Sequence, residues 1–114
     1  MAEIESPLAG HVYNKPELLE ATKRWQEVTE LVEGCYEWAE MRVYFDPYSR
    51  RYYWYSGIGC SCDYWDPSTV GDFSDGDRNA VKTALRGFAE ENSWAFTSPG
   101  VLVDALDGLA KFKE

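Results

Sequence analysis

Eleven of the 18 aromatic residues of this chain lie between Tyr36 and Trp65, and their spacing narrows the folds open to it. From Tyr36 to Phe45, Ala39, Met41, Val43 and Phe45 alternate with Trp38, Glu40, Arg42 and Tyr44, the period of two expected of a strand. Tyr52-Tyr53-Trp54-Tyr55 then places four consecutive rings in a second extended run. Successive side chains of a strand point to opposite faces, so these rings cannot all enter one core. Either both faces of a sheet are covered, or rings meet water.

Asp46-Pro47-Tyr48-Ser49 joins the two runs as a turn, with proline pre-set at its second position. The spacing therefore predicts a β-hairpin over about 36–45 and 51–55. A long Gly-, Asp- and Ser-rich stretch from Ser56 to about Gly76 reads as an irregular loop, of the kind that often carries function. Two amphipathic helices follow. Ala80, Val81, Ala84, Leu85 and Phe88 make one stripe over about 77–90, with Ser74 or Asp75 as caps. Leu102, Ala105, Leu106, Leu109 and Phe112 make another over about 99–112, after Ser98-Pro99.

Upstream, residues 1–13 are polar, with Pro7, Gly10 and the single His11, and are expected to form a flexible N-terminal arm on a single domain over 14–114. Asn14 and Pro16 open a helix. Its apolar positions Leu18, Ala21, Trp25, Val28 and Val32 would carry it to Gly34. Val28, Glu30 and Val32 fit a strand over 26–33 equally well. At 114 residues the chain has the size of one domain, and its 45% hydrophobic content fits a packed core rather than disorder.

A formal net charge of -9 disfavours nucleic acid and anionic membranes as partners. The excess is local. Glu27, Glu30, Glu33, Glu37 and Glu40 form one block, and Asp63, Asp66, Asp72, Asp75 and Asp77 a second, with no Lys or Arg in either; the rest of the chain balances ten acids against eleven bases. Solvated loop charge accounts for such blocks, and so does an acidic face that competes for a basic groove. Likewise the rings of Tyr52, Trp54, Tyr64 and Trp65 suit either cross-strand core pairs or a contact surface, since Tyr and Trp dominate binding hot spots. Joined with Asp63, Asp66, Glu37 and Glu40, they make the candidate partner-binding set. The first ten residues have neither the basic nor the apolar region of an export signal. No apolar run is long enough to span a bilayer. A soluble, cytoplasmic protein is the expectation.

Three cysteines without an export signal point to reduced thiols or a metal rather than to a disulfide framework. Cys60 and Cys62 place two sulfurs on one side of an extended backbone, and Cys35 would make a third zinc ligand, with His11 or Asp63 as fourth. One CxC falls short of the paired CxxC of zinc modules, and thiols packed as small hydrophobes are the simpler expectation. Asp72, Asp75 and Asp77 do not match the calcium-binding EF-hand loop. Phosphate-binding, dinucleotide, zinc-protease and serine-hydrolase motifs are all missing, and one histidine leaves little general-base chemistry near pH 7. The chain is not expected to be an enzyme.

Through Tyr36-Glu37-Trp38, Val43-Tyr44-Phe45, Arg51-Tyr52-Tyr53-Trp54 and Gly59-Cys60-Ser61-Cys62, residues 26–90 resemble a group of small, functionally uncharacterised proteins of actinobacterial phages. That group pairs two aromatic-rich strands and follows the second with Gly-Cys-Ser-Cys. The chain departs from it at Asp63, where the group carries proline. The resemblance implies an additional strand before Tyr36, which favours ending the first helix near Arg24, together with a phage origin and action in the host cytoplasm.

The expected fold is therefore α+β: a short antiparallel β-sheet, with strand 26–33 beside the hairpin, packed by the two C-terminal helices. The expected function is that of a phage accessory protein binding a host protein, basic or DNA-binding, without catalysis and without direct contact to nucleic acid or membrane. Three alternatives are a nucleotide-sequestering anti-defence protein with Arg42, Arg50 or Arg51 at its phosphate end, a small zinc-stabilised module on Cys60, Cys62 and Cys35, and a virion component. No cofactor other than such a zinc ion is expected.

Overall fold

Residues 4–114 are described in the computed structural model. The chain runs α1 (Pro16–Ala21), β1 (Gln26–Gly34), β2 (Glu37–Asp46), β3 (Arg51–Cys60), a 3-10 turn (Val70–Asp72), β4 (Ser74–Gly76), α2 (Arg78–Glu91) and α3 (Pro99–Lys111). The strands form one antiparallel sheet in the order β1-β2-β3-β4. This is an α+β fold, as the hairpin and the two late helices predict.

Alternation on β2 decides what each face buries. Ala39, Met41, Val43 and Phe45 point to one face, where Tyr52 and Trp54 join them from β3. That face is sealed by Val81, Leu85 and Phe88 of α2 and by Ala105 and Leu109 of α3. Arg78 fastens the two helices together, donating from its guanidinium to the carbonyl oxygens of Leu109 at 2.7 Å and Phe112 at 2.8 Å, so the last turn of α3 is satisfied by the first turn of α2.

Tyr44, with Trp38, Tyr53 and Tyr55, points to the opposite face, and a second core covers it. Leu8, Leu18, Trp25, Trp65 and Phe73 supply that cover. Trp25 stacks on Tyr53 at 4.7 Å between ring centroids and meets Phe73 edge-on at 5.1 Å. Offset and edge-on ring pairs of this kind each add about 0.5–1.5 kcal/mol beyond the area they bury.

Three expectations are corrected and one open alternative is decided. Residues 6–13 are not a flexible arm: Leu8 is 0% exposed, Leu8 N–H donates to Ser6 Oγ at 3.1 Å, and the buried Ser6 and Thr22 hydroxyls share a hydrogen bond of 2.7 Å. Rings on the second face must be kept from water, and Leu8 helps to do this. The first three residues of that expected arm lie outside the described residues. Second, the first helix stops at Ala21 and β1 follows, in agreement with the strand that the resemblance implied; Thr22, fully buried, donates to Leu18 O at 2.8 Å.

Third, β3 reaches Cys60, five residues beyond the predicted end and into the expected loop. Gly57 and Gly59, which read as loop residues, are strand residues beneath Trp38. A Cβ on Gly59 would stand 2.8 Å from the Trp38 ring and 2.7 Å from Asp63 Cβ, so the glycine lets a ring and a loop close over the strand. Fourth, the cap of α2 is Asp77, whose Oδ1 accepts from Ala80 N–H at 2.8 Å, rather than Ser74 or Asp75, which belong to β4. None of the helices among the described residues is long and apolar enough to cross a membrane.

Candidate functional site

The β1–β2 turn and the end of β3 meet at one rim of the sheet. Gly34 enters that turn at φ +110°, and a Cβ there would strike Glu37 O at 2.1 Å, so only glycine suits the bend. Cys35 N–H donates to Glu37 O at 3.2 Å and closes it. Glu37 lies opposite Cys60, and Trp38 opposite Gly59. The Trp38 indole N–H donates to Cys60 O at 2.8 Å, as does the Asp63 N–H at 2.9 Å. Asp63 folds back over the strand end, its Oδ2 accepting from Cys60 N–H at 2.9 Å. Cys60 is thus held from both backbone atoms.

Three potential ligand atoms come together here. Cys60 Sγ lies 3.1 Å from Cys62 Sγ and 3.2 Å from Asp63 Oδ2. Among the described residues they form the one group of three or more metal-ligating side chains with all its atoms within 4.8 Å of one another. Hydrogen bonding to Cys62 first, and to the Asp63 carboxylate as well, holds the Cys60 thiol above the ordinary cysteine range. The Cys60 backbone N–H, helped by the thiol, holds Asp63 below the usual carboxylate range. Cys35 sits on the same rim but outside this group. All three cysteines are exposed, so they are not the buried small hydrophobes that were expected.

The predicted partner-binding residues divide sharply. Tyr64 is 82% exposed, and Glu37 and Asp63 are exposed. Tyr52 and Trp65 are buried and cannot form a contact surface. The Tyr52 hydroxyl donates to Glu114 Oε1 at 2.7 Å, and burial, reinforced by that bond, pushes its pKa up to about 12. The Trp65 indole N–H donates to Tyr55 O at 3.1 Å. Trp54 is half-buried against the helix-covered core. Glu40 is half-buried and paired with Arg42, while Asp66 faces Lys15 at 3.3 Å.

Nor do the two acidic blocks make one face. Glu27, Glu30 and Glu33 line β1 at one edge of the sheet, whereas Asp75 sits on β4 at the other edge, paired with Arg51 at 2.6 Å. Asp72 accepts the N–H groups of Ser68 and Thr69, and Asp77 caps α2. The aspartates once considered for calcium therefore have three separate structural tasks.

Two exposed apolar residues of the rim were missed: Tyr36, 82% exposed, and Ile58, 60% exposed. Tyr36 could have been found from its place in a Gly-Cys-Tyr-Glu turn, where no sheet face can receive the ring. Ile58 sits opposite Ala39 on the helix-covered face. The longer β3 that puts it there was not legible.

An open cavity of about 510 Å³ includes Arg42 in its wall, beside Glu27, Glu30 and Tyr44. Arg42 is paired with Glu30 and Glu40, and Arg51 with Asp75, while Arg50 is not part of the wall. A nucleotide phosphate would meet carboxylates there, which disfavours the sequestering alternative. Comparison with protein-family models, with curated proteins and with solved structures gave no match.

Proposed function

We propose that this chain is a non-enzymatic binding protein whose rim docks onto a basic partner protein, the setting being that of a phage accessory protein in the cytoplasm of its host. One observation carries this reading: Tyr36 and Tyr64, both 82% exposed, stand next to the exposed carboxylates of Glu37 and Asp63. The segments 25–41 and 52–77 that build the rim contain no Lys or Arg. Exposed rings flanked by uncompensated negative charge suit a surface with cations around an apolar centre, because Tyr supplies contact area at low entropic cost while charge steers the encounter. The rim is narrower than the surface expected from the sequence, since Tyr52, Trp54 and Trp65 pack into the cores and Glu40 is half-buried against Arg42, while the exposed Asp66 is paired with Lys15. The phage setting is supported by the resemblance of residues 26–90.

Affinity capture from host lysate tests the proposal by comparing the wild-type chain with a Tyr36→Ser, Tyr64→Ser, Glu37→Lys variant at low and physiological salt. A partner retained by the wild type and lost by the variant is the expected result, with retention stronger at low salt. Capture that is absent at both salts, or that is unaffected by the three substitutions, overturns it.

A further inference from the structure

We propose that Cys60, Cys62 and Asp63 form a zinc(II) site, with Cys60 Sγ, Cys62 Sγ and Asp63 Oδ2 as ligands and the fourth position open to solvent. The site shares Asp63 with the docking surface, but it rests on the cysteine geometry and does not require that surface to bind a partner. Free cysteine is among the most buried of residue types, yet here two thiols are exposed 3.1 Å apart beside a carboxylate. Packing does not explain that placement.

The distances suit a small tetrahedral dication. With zinc–sulfur bonds of about 2.3 Å and zinc–oxygen bonds of about 2.0 Å, tetrahedral angles set sulfur–sulfur at about 3.8 Å and sulfur–oxygen at about 3.5 Å. The present separations are 3.1 Å and 3.2 Å. Two exposed cysteine side chains open by that difference through small χ1 changes, without moving the backbone. A soft monovalent ion such as copper(I) would leave the hard carboxylate idle and prefers sulfurs farther apart, so the mixed donor set favours zinc.

The scaffold holds two of the three donors, Cys60 and Asp63, in place. Trp38 and the Asp63 backbone fix Cys60 O, and Asp63 Oδ2 stays over the strand only because Gly59 has no side chain in its way. Binding replaces two S–H bonds with two zinc–sulfur bonds, and the two protons pass to the buffer. Two thiolates and one carboxylate around a dication leave the site with a net charge of about -1. An open position with three protein ligands is the pattern of reactive rather than closed structural zinc.

Cobalt(II) titration of the full chain, with a phosphine keeping the thiols reduced, reads the site directly through the thiolate-to-cobalt charge-transfer band, and zinc competition reads its affinity. One equivalent should bind with that band, and zinc should displace it. Cys60→Ser and Cys62→Ser should each weaken binding at least about 100-fold, and Asp63→Asn about tenfold, while Cys35→Ser leaves it unchanged. Circular dichroism should show the same fold in all four variants, because these side chains are exposed. The proposal is overturned if the band is missing, if it survives in Cys60→Ser or Cys62→Ser, or if Cys35→Ser abolishes it.

Discussion

The two faces of the sheet are covered by different means and to different depths: Ala39, Met41, Val43, Phe45 and Tyr52 are buried on one, whereas on the other Tyr44 is buried and Trp38, Tyr53 and Tyr55 are half-buried. Two amphipathic helices with regular apolar stripes close one face, and Leu85 and Leu109 are completely hidden there. Irregular chain closes the other: the Ser6–Tyr13 segment, the short α1, and the loop from Ser61 to Phe73. What the irregular side lacks in repeating contacts it makes up with rings, since Trp25, Tyr44, Tyr53, Tyr55, Trp65 and Phe73 contact one another in pairs. A sheet with aromatic residues on both faces needs two covers, and only one of them has to be regular.

If the aromatic side is a true core, its loss should cost as much as a loss on the helical side. Trp25→Ala should destabilise the chain by about 3–5 kcal/mol and Leu85→Ala by about 2–5 kcal/mol, measured by denaturant unfolding. A cost below about 1 kcal/mol for Trp25→Ala would reduce that side to a loose covering. Leu8→Ala sharpens the contrast. This residue lies in a segment without a helix or strand of its own, so a loss of about 2–3 kcal/mol would mean that the segment is part of the cooperative fold, whereas a loss of a few tenths would mean that it detaches.

The smallest effect concerns acid. Asp72 is held below the usual carboxylate range, first by the Ser68 N–H and then by that of Thr69. Its folded pKa lies below its unfolded one, so its contribution is fully present above the ordinary Asp range and is lost as pH falls through the folded value. Asp72→Asn should therefore be less stable than wild type at neutral pH and should lose less on acidification. Parallel pH profiles for the two proteins would mean that this carboxylate does not help to fix the loop.

The helical side was largely legible because each of its elements declares itself locally: period two on β2, and stripes at three and four on α2 and α3. The aromatic side was legible only as a requirement. Alternation places Tyr44 and Tyr53 on a second face but does not say what lies over it, and Leu8 looks like any residue of a polar terminus until the rings are in place. β3 was read short because Gly57 and Gly59 resemble loop residues; their role depends on the ring of Trp38 from the neighbouring strand. At the rim, the CxC pair was visible from spacing. The adjacent Tyr64 and Trp65 had opposite fates that composition could not separate, one ring facing water and the other hidden beside Tyr55.

The unequal outer strands of the sheet have a consequence for how copies of the chain coexist. Three-residue β4 offers almost nothing for another strand to pair with, and nine-residue β1, which could serve as a template, carries Glu27, Glu30 and Glu33 along its length. Two such strands brought side by side would repel each other before their backbones could register. These three glutamates therefore oppose stacking into fibres, a hazard for any protein that concentrates so many rings in so few strands.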